Sequence, residues 1–164
     1  MKVYKDFPKQ GVDFIDINPV LNDYNQLTTL KNHLKESVLD LDIDKVVAIE
    51  SRGFIFGTEL ANLHEAGLVL ARKQGKLPGN CWSKSYGTEY SQDRLEMQVG
   101  SIKPGDKVLI HDDVLATGGT AKAVKFLVEK LGGIVVCFSF IVEIECLKGS
   151  DKLVGSHVRS LIKK

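Results

Sequence analysis

The chain of 164 residues is 43% hydrophobic and 26% charged, which excludes a disordered polymer and suits one domain with a sizeable core. Its 22 lysines and arginines face 21 acidic residues, a net charge of +1, and this balance argues against a nucleic-acid-coating protein. No apolar run approaches the ~20 residues of a membrane span, and the start Met1-Lys2-Val3-Tyr4-Lys5-Asp6 lacks the apolar stretch of a signal peptide. Cys81, Cys137 and Cys146 match no zinc or redox spacing, so they read as small side chains in a cytoplasmic protein.

The N-terminal stretch through Asn22-Asp23 is rich in turn residues. A helix is predicted from Tyr24 to Leu39, with Leu27, Leu30, Leu34 and Val38 as its apolar stripe. Lys45 to Ile49 is apolar on both faces, the pattern of a buried parallel strand. Ser51-Arg52-Gly53 breaks it, and a helix from Phe54 to Glu65 leads to a second strand at Leu68 to Ala71. Residues 72 to 94 are polar and rich in Gly, Lys, Ser and Tyr, and Leu95 to Val99 reads as an edge strand. A strand from Lys107 to His111, a loop from Asp112 to Gly119 and a helix from Thr120 to Leu131 follow. Gly132-Gly133 stops that helix, and Ile134 to Ile144 is a further strand. Strand–helix–strand order predicts a mostly parallel α/β sheet whose ligands bind beyond the carboxyl ends of the strands.

Chemistry-bearing residues follow three of those strand ends. Asp112-Asp113-Val114-Leu115-Ala116-Thr117-Gly118-Gly119-Thr120 joins a strand to a helix. Glycines allow close backbone approach, the helix start offers free N–H groups, and Thr117 and Thr120 add hydroxyls, which together suit a phosphate monoester. The paired carboxylates call for sugar hydroxyls or a divalent metal. The stretch has neither the Gly-Lys-Ser/Thr ending of a Walker loop nor a Gly-x-Gly-x-x-Gly fingerprint. Ser51-Arg52-Gly53 and Arg72-Lys73-Gln74-Gly75-Lys76 occupy the matching positions after two other strands, where arginine grips phosphate oxygens bidentately. Glu89, between Tyr86 and Tyr90 in the long polar stretch, is placed for acid/base work when a lid closes over it.

With these residues in view, the chain resembles the adenine branch of the type I phosphoribosyltransferases along nearly all its length. Asp6-Phe7-Pro8, Gly11, Phe14, Asp16-Ile17 and Pro19-Val20-Leu21 resemble that family's N-terminal segment. Ser51-Arg52-Gly53-Phe54 is similar to its diphosphate loop, and Arg72-Lys73 with Gly75-Lys76-Leu77-Pro78-Gly79, then Ser85-Tyr86 and Glu89-Tyr90, to its flexible loop. Asp112-Asp113 through Thr120 matches the phosphoribosyl diphosphate signature of the superfamily, and Val142-Glu143 with Leu147-Lys148-Gly149 the segment after the last long strand.

The resemblance implies a single domain over 1–164 with the type I phosphoribosyltransferase fold: a mostly parallel twisted sheet flanked by helices, a base-binding hood at 1–23 and a flexible active-site loop at 72–94. It implies the magnesium-dependent conversion of adenine and 5-phosphoribosyl 1-diphosphate to AMP and diphosphate, the metal carried mainly by the sugar diphosphate with Asp112 or Asp113 assisting. By that resemblance Ala116, Thr117, Gly118, Gly119 and Thr120 take the 5′-phosphate, and Asp112 and Asp113 the ribose hydroxyls. Ser51, Arg52 and Gly53, with Arg72, Lys73, Lys76 and Tyr90, take the diphosphate, while Glu89 manages a purine-ring proton. Phe14 and Ile144 wall the base, and the backbone at Asp13 and Ile15 reads its N1 and 6-amino edge. A homodimer without nucleic-acid or membrane partners is also implied. Ile15 stands where the family commonly has arginine, so a sister enzyme acting on a 6-oxo purine is the alternative, with a nucleotide-sensing regulator of the same fold behind it.

Overall fold

The computed structural model describes residues 1–7, 10–11, 14–86 and 93–164. These residues form two compact units, Met1–His33 and Leu34–Lys164.

In the first unit, β1 (Lys2–Tyr4) pairs antiparallel with β2 (Phe14–Asp16), setting Tyr4 opposite Phe14. Phe7 meets the Phe14 ring edge-on at 5.2 Å. Pro19 lies in the first turn of α1 (Asn18–Leu21), where its missing N–H costs nothing. Asp23 accepts the Gln26 N–H at 2.9 Å just ahead of α2 (Tyr24–Glu36), an N-terminal cap the Asn22-Asp23 turn anticipates. That helix stops three residues short of the predicted Leu39, where Ser37 turns its hydroxyl back onto the Leu34 carbonyl at 2.7 Å.

The second unit is built on a seven-stranded sheet. Its five parallel strands are β3 (Lys45–Ile49), β4 (Gly67–Lys73), β7 (Lys107–Leu115), β8 (Ile134–Glu143) and β9 (His157–Lys163). An antiparallel hairpin of β5 (Cys81–Ser85) and β6 (Arg94–Gln98) joins at β4, so the order is β5-β6-β4-β3-β7-β8-β9. Helices α3 (Gly53–Leu63) and α4 (Gly119–Lys130) make the connections after β3 and β7. Val124, Leu127 and Val128 of α4 join Ile110, Phe138, Phe140, Leu95 and Met97 in one buried cluster. Four polar residues in the sheet are buried, His111, Asp113, Ser139 and Glu143, and His111 sets Nδ1 3.3 Å from the Ser139 hydroxyl across the β7–β8 pair. Among the described residues no helix is long and apolar enough to cross a membrane.

Two sequence expectations need correction. The strand predicted to stop at His111 runs on to Leu115, because Asp112 and Val114 find ladder partners in Phe140 and Val142. The predicted edge strand near Leu95 is internal, because β5 folds back on it and takes the edge. Beyond the last predicted element the chain adds β9, held partly by Arg159, which donates to both Asp40 carboxylate oxygens at 2.5 and 2.9 Å and to the Ser37 carbonyl.

Candidate active site

Parallel pairing sets Ile49 beside Ala71 and Ala48 beside His111, so the carboxyl ends of β3, β4 and β7 open onto one edge of the sheet. The chain leaves β3 through Glu50-Ser51-Arg52, whose Glu50–Ser51 peptide is cis, and enters α3 at Gly53. A side chain at residue 53 has no room: a Cβ there would lie 2.9 Å from the His111 carbonyl oxygen and 3.1 Å from Asp112 Oδ1. The missing side chain lets this loop lie directly on β7. Arg52 then pairs its Nε with Asp113 Oδ2 at 2.8 Å, the carboxylate buried and the guanidinium one-third exposed.

Asp112 and Asp113 point to opposite faces of β7 as strand neighbours do, yet the Asp113 N–H donates to Asp112 Oδ1 at 2.9 Å. Burial and the adjoining Asp113 charge push the Asp112 carboxyl well above the usual carboxylate range. Burial also raises Asp113, against the pull of Arg52. Two adjoining carboxyls, only one of them paired with a guanidinium, favour a ligand that brings hydroxyl donors or positive charge.

Beyond Leu115 the loop is only three residues long, Ala116-Thr117-Gly118, before α4 begins at Gly119. Gly118 has φ +74°, the left-handed turn into the helix, and no side chain caps that end. The opening N–H groups of a twelve-residue helix therefore face the bend, with Thr117 exposed and Thr120 half-buried beside them. This is a cradle for a compact oxyanion. A second segment backs it. Lys148 has φ 49°, a left-handed kink, and Gly149 behind it packs so closely that a Cβ would lie 2.2 Å from the Ala116 carbonyl oxygen.

The cations after β4 are not loose. Glu50, whose side chain is only 8% exposed, accepts from Lys76 Nζ at 2.5 Å and from the Lys73 N–H at 2.9 Å, and it pairs with Arg72 at 3.5 Å. Arg72 also donates to the Lys76 carbonyl at 3.1 Å. Burial opposes ionisation of Glu50, but Lys76, the Lys73 amide and Arg72 overcome it and hold the carboxyl down at about 2. Sequence reasoning missed Glu50. The available signal is a carboxylate placed between the apolar run at 46–49 and Ser51-Arg52.

Tyr86 packs on the core, and its N–H donates to the Asp93 carbonyl at 3.1 Å, closing the stem of the β5–β6 hairpin. Glu89 and Tyr90 belong to the segment between them and lie outside the described residues, as does Asp13. Phe14, half-buried, and Ile15, buried, belong to β2 in the first unit. Ile144 follows β8, and its N–H donates to the Leu115 carbonyl at 2.9 Å, beside the start of the cradle. Among the described residues no group of three or more His, Cys, Asp or Glu side chains is placed to hold a metal ion.

The family model for the phosphoribosyl transferase domain matches residues 23–155. An adenine phosphoribosyltransferase of Clostridium botulinum is 48% identical over 162 residues, covering 99% of this chain and 94% of the relative. One from Christiangramia forsetii is 51% identical over 158 residues, covering 96% and 92%. The crystal structure of adenine phosphoribosyltransferase from Thermoanaerobacter pseudethanolicus superposes with a TM-score of 0.95 at 42% identity, covering 99% of this chain and 95% of that one. The Saccharomyces cerevisiae enzyme, complexed with an imino-altritol bisphosphate and adenine, has a TM-score of 0.88 at 38% identity, covering 98% and 93%.

Proposed function

The chain belongs to the phosphoribosyltransferase family, in its adenine branch, and on that premise we propose that the crevice at the tips of β3, β4 and β7 joins adenine to 5-phosphoribosyl 1-diphosphate, giving AMP and diphosphate. The observation that carries this is the 2.8 Å contact of Arg52 with Asp113. It sets a guanidinium against the acidic pair at the head of the oxyanion cradle. A ribose with a phosphate at one end and a diphosphate at the other meets matching groups along that line.

Ala116, Thr117, Gly118, Gly119 and Thr120 hold the 5′-phosphate by helix N–H groups and hydroxyls. Asp112 and Asp113 accept from the ribose hydroxyls, while Arg52, the backbone of Ser51 and the Gly53 helix start take diphosphate oxygens. Arg72 and Lys76 exchange Glu50 for the diphosphate, and Lys73 adds a cation at the same edge. As diphosphate leaves, the anomeric carbon gains positive charge that the acidic pair stabilises, and N9 of adenine attacks from the opposite face. Glu89 holds the purine-ring proton at N7 or N9, and Tyr90 is a further contact for the sugar diphosphate. Ile144, whose N–H bonds the Leu115 carbonyl, offers the ring an apolar wall.

The raised carboxyls of Asp112 and Asp113 fit a magnesium ion only in part, because they supply at most two side chains where magnesium takes six oxygens. They would hold it together with oxygens of the sugar diphosphate, and its charge, when bound, neutralises the departing diphosphate. A homodimer working in the cytoplasm completes the proposal. The test is purified protein with the sugar diphosphate, magnesium and each of adenine, hypoxanthine, guanine and xanthine. AMP from adenine is expected. No AMP, or a higher kcat/KM with a 6-oxo purine, overturns it.

A further inference from the structure

Taking the bend before α4 as the 5′-phosphate site, as proposed above, we propose that Gly149 is a positioning residue for it: the segment after β8 is a backing plate that sets the curvature of the cradle. The two pieces are about thirty residues apart in the chain, yet their backbones interlock. A Cβ on Gly149 would lie 2.2 Å from the Ala116 carbonyl oxygen and 3.0 Å from the Gly118 nitrogen. A Cβ on Gly118 would lie 2.3 Å from the Gly149 carbonyl oxygen. Each glycine therefore permits the other, and both are buried.

The backing segment is itself held. The Ile144 N–H donates to the Leu115 carbonyl at 2.9 Å, and the Glu145 N–H donates to the Lys164 carbonyl at 2.7 Å. Lys148 takes a left-handed turn at φ 49°, and Leu153, at the end of the 3₁₀ turn Gly149–Leu153, is buried in the main core. The bend is thus fixed between the helix start on one side and an anchored turn on the other. Phosphate oxygens are held only if several N–H groups converge on one point, and such convergence is lost with small displacements. A methyl at residue 149 needs roughly 1 Å of movement to clear the Ala116 carbonyl, and with both segments anchored that movement strains the bend it presses on. Residues 51–53, which take the diphosphate, do not touch this segment through any of these contacts.

The consequence is selective. Gly149→Ala should weaken ligands that carry the phosphomonoester and spare those that do not. Calorimetry on the full chain, with ribose 5-phosphate and with inorganic diphosphate, reads this without turnover. The Kd for ribose 5-phosphate should rise about tenfold while the Kd for diphosphate stays at the wild-type value. Gly132→Ala is the control for plain destabilisation: it strains a left-handed glycine (φ +97°) past the far end of α4 and should lower Tm without changing either Kd. Leu153→Val, which slackens the anchor without adding an atom at the cradle, should shift the ribose 5-phosphate constant in the same direction and serves if Gly149→Ala does not fold. Unchanged ribose 5-phosphate binding in the folded variant, or equal weakening of both ligands, overturns the proposal, as does a wild-type chain that does not bind ribose 5-phosphate. Failure of the wild type to make AMP while ribose 5-phosphate still binds counts against the transferase assignment alone.

Discussion

Acidification should destabilise this protein through a single buried imidazole. His111 is fully enclosed, with Nδ1 on the Ser139 hydroxyl, and burial depresses its pKa from 6.5 to about 4. Above pH 6.5 the ring is neutral in folded and unfolded chains alike and stability is unaffected. Below it, the unfolded chain takes up a proton that the folded chain refuses until about pH 4. Stability therefore falls as pH drops through this window. The gap is worth about 3 kcal/mol in full, of which about 2 kcal/mol is lost by pH 5. The assay is urea unfolding of wild type and His111→Asn, whose amide can keep the Ser139 contact but does not titrate. Because Asp112, Asp113 and His64 titrate in both proteins, the difference between the two curves isolates residue 111. Wild type should lose stability relative to the variant between pH 7 and pH 5, and parallel curves over that range would refute the assignment of a neutral buried ring.

Two further predictions concern the crevice. Glu50→Gln removes the carboxylate that Lys76 and Arg72 share; since the folded pKa is about 2 against 4.5 normally, its contribution is complete above pH 4.5 and vanishes as pH falls toward 2. Denaturation should show a constant deficit for the variant at neutral pH that closes under acid, and a deficit independent of pH would disprove the ionic account. Glu89→Ala should lower kcat by about 10²-fold or more with little change in the Kd for the sugar diphosphate, and an unchanged kcat removes Glu89 from the proton transfer.

The parallel core was legible because β3, β7 and β8 are apolar on both faces, a pattern few other settings produce. The cradle was legible because glycine, threonine and aspartate crowd nine consecutive residues. Its true length was not, since two adjacent acids look unlike a strand and only the pairing with β8 keeps them in one. Glu50 was hidden for a related reason: its partners Arg72 and Lys76 lie 22 and 26 residues further on, beyond any local pattern. Gly149 and β9 share that difficulty. Each acquires meaning from a neighbour brought by topology, and no spacing rule announces it.

The sheet grades the crevice in stiffness. The strand that carries the acidic pair lies inside the sheet, with β3 on one side and β8 on the other, whereas the β5–β6 hairpin hangs from the margin, β5 having no strand on its outer side among the described residues. Amide hydrogens of β7 therefore exchange only through opening of the whole unit, while those of β5 are released by a local lift.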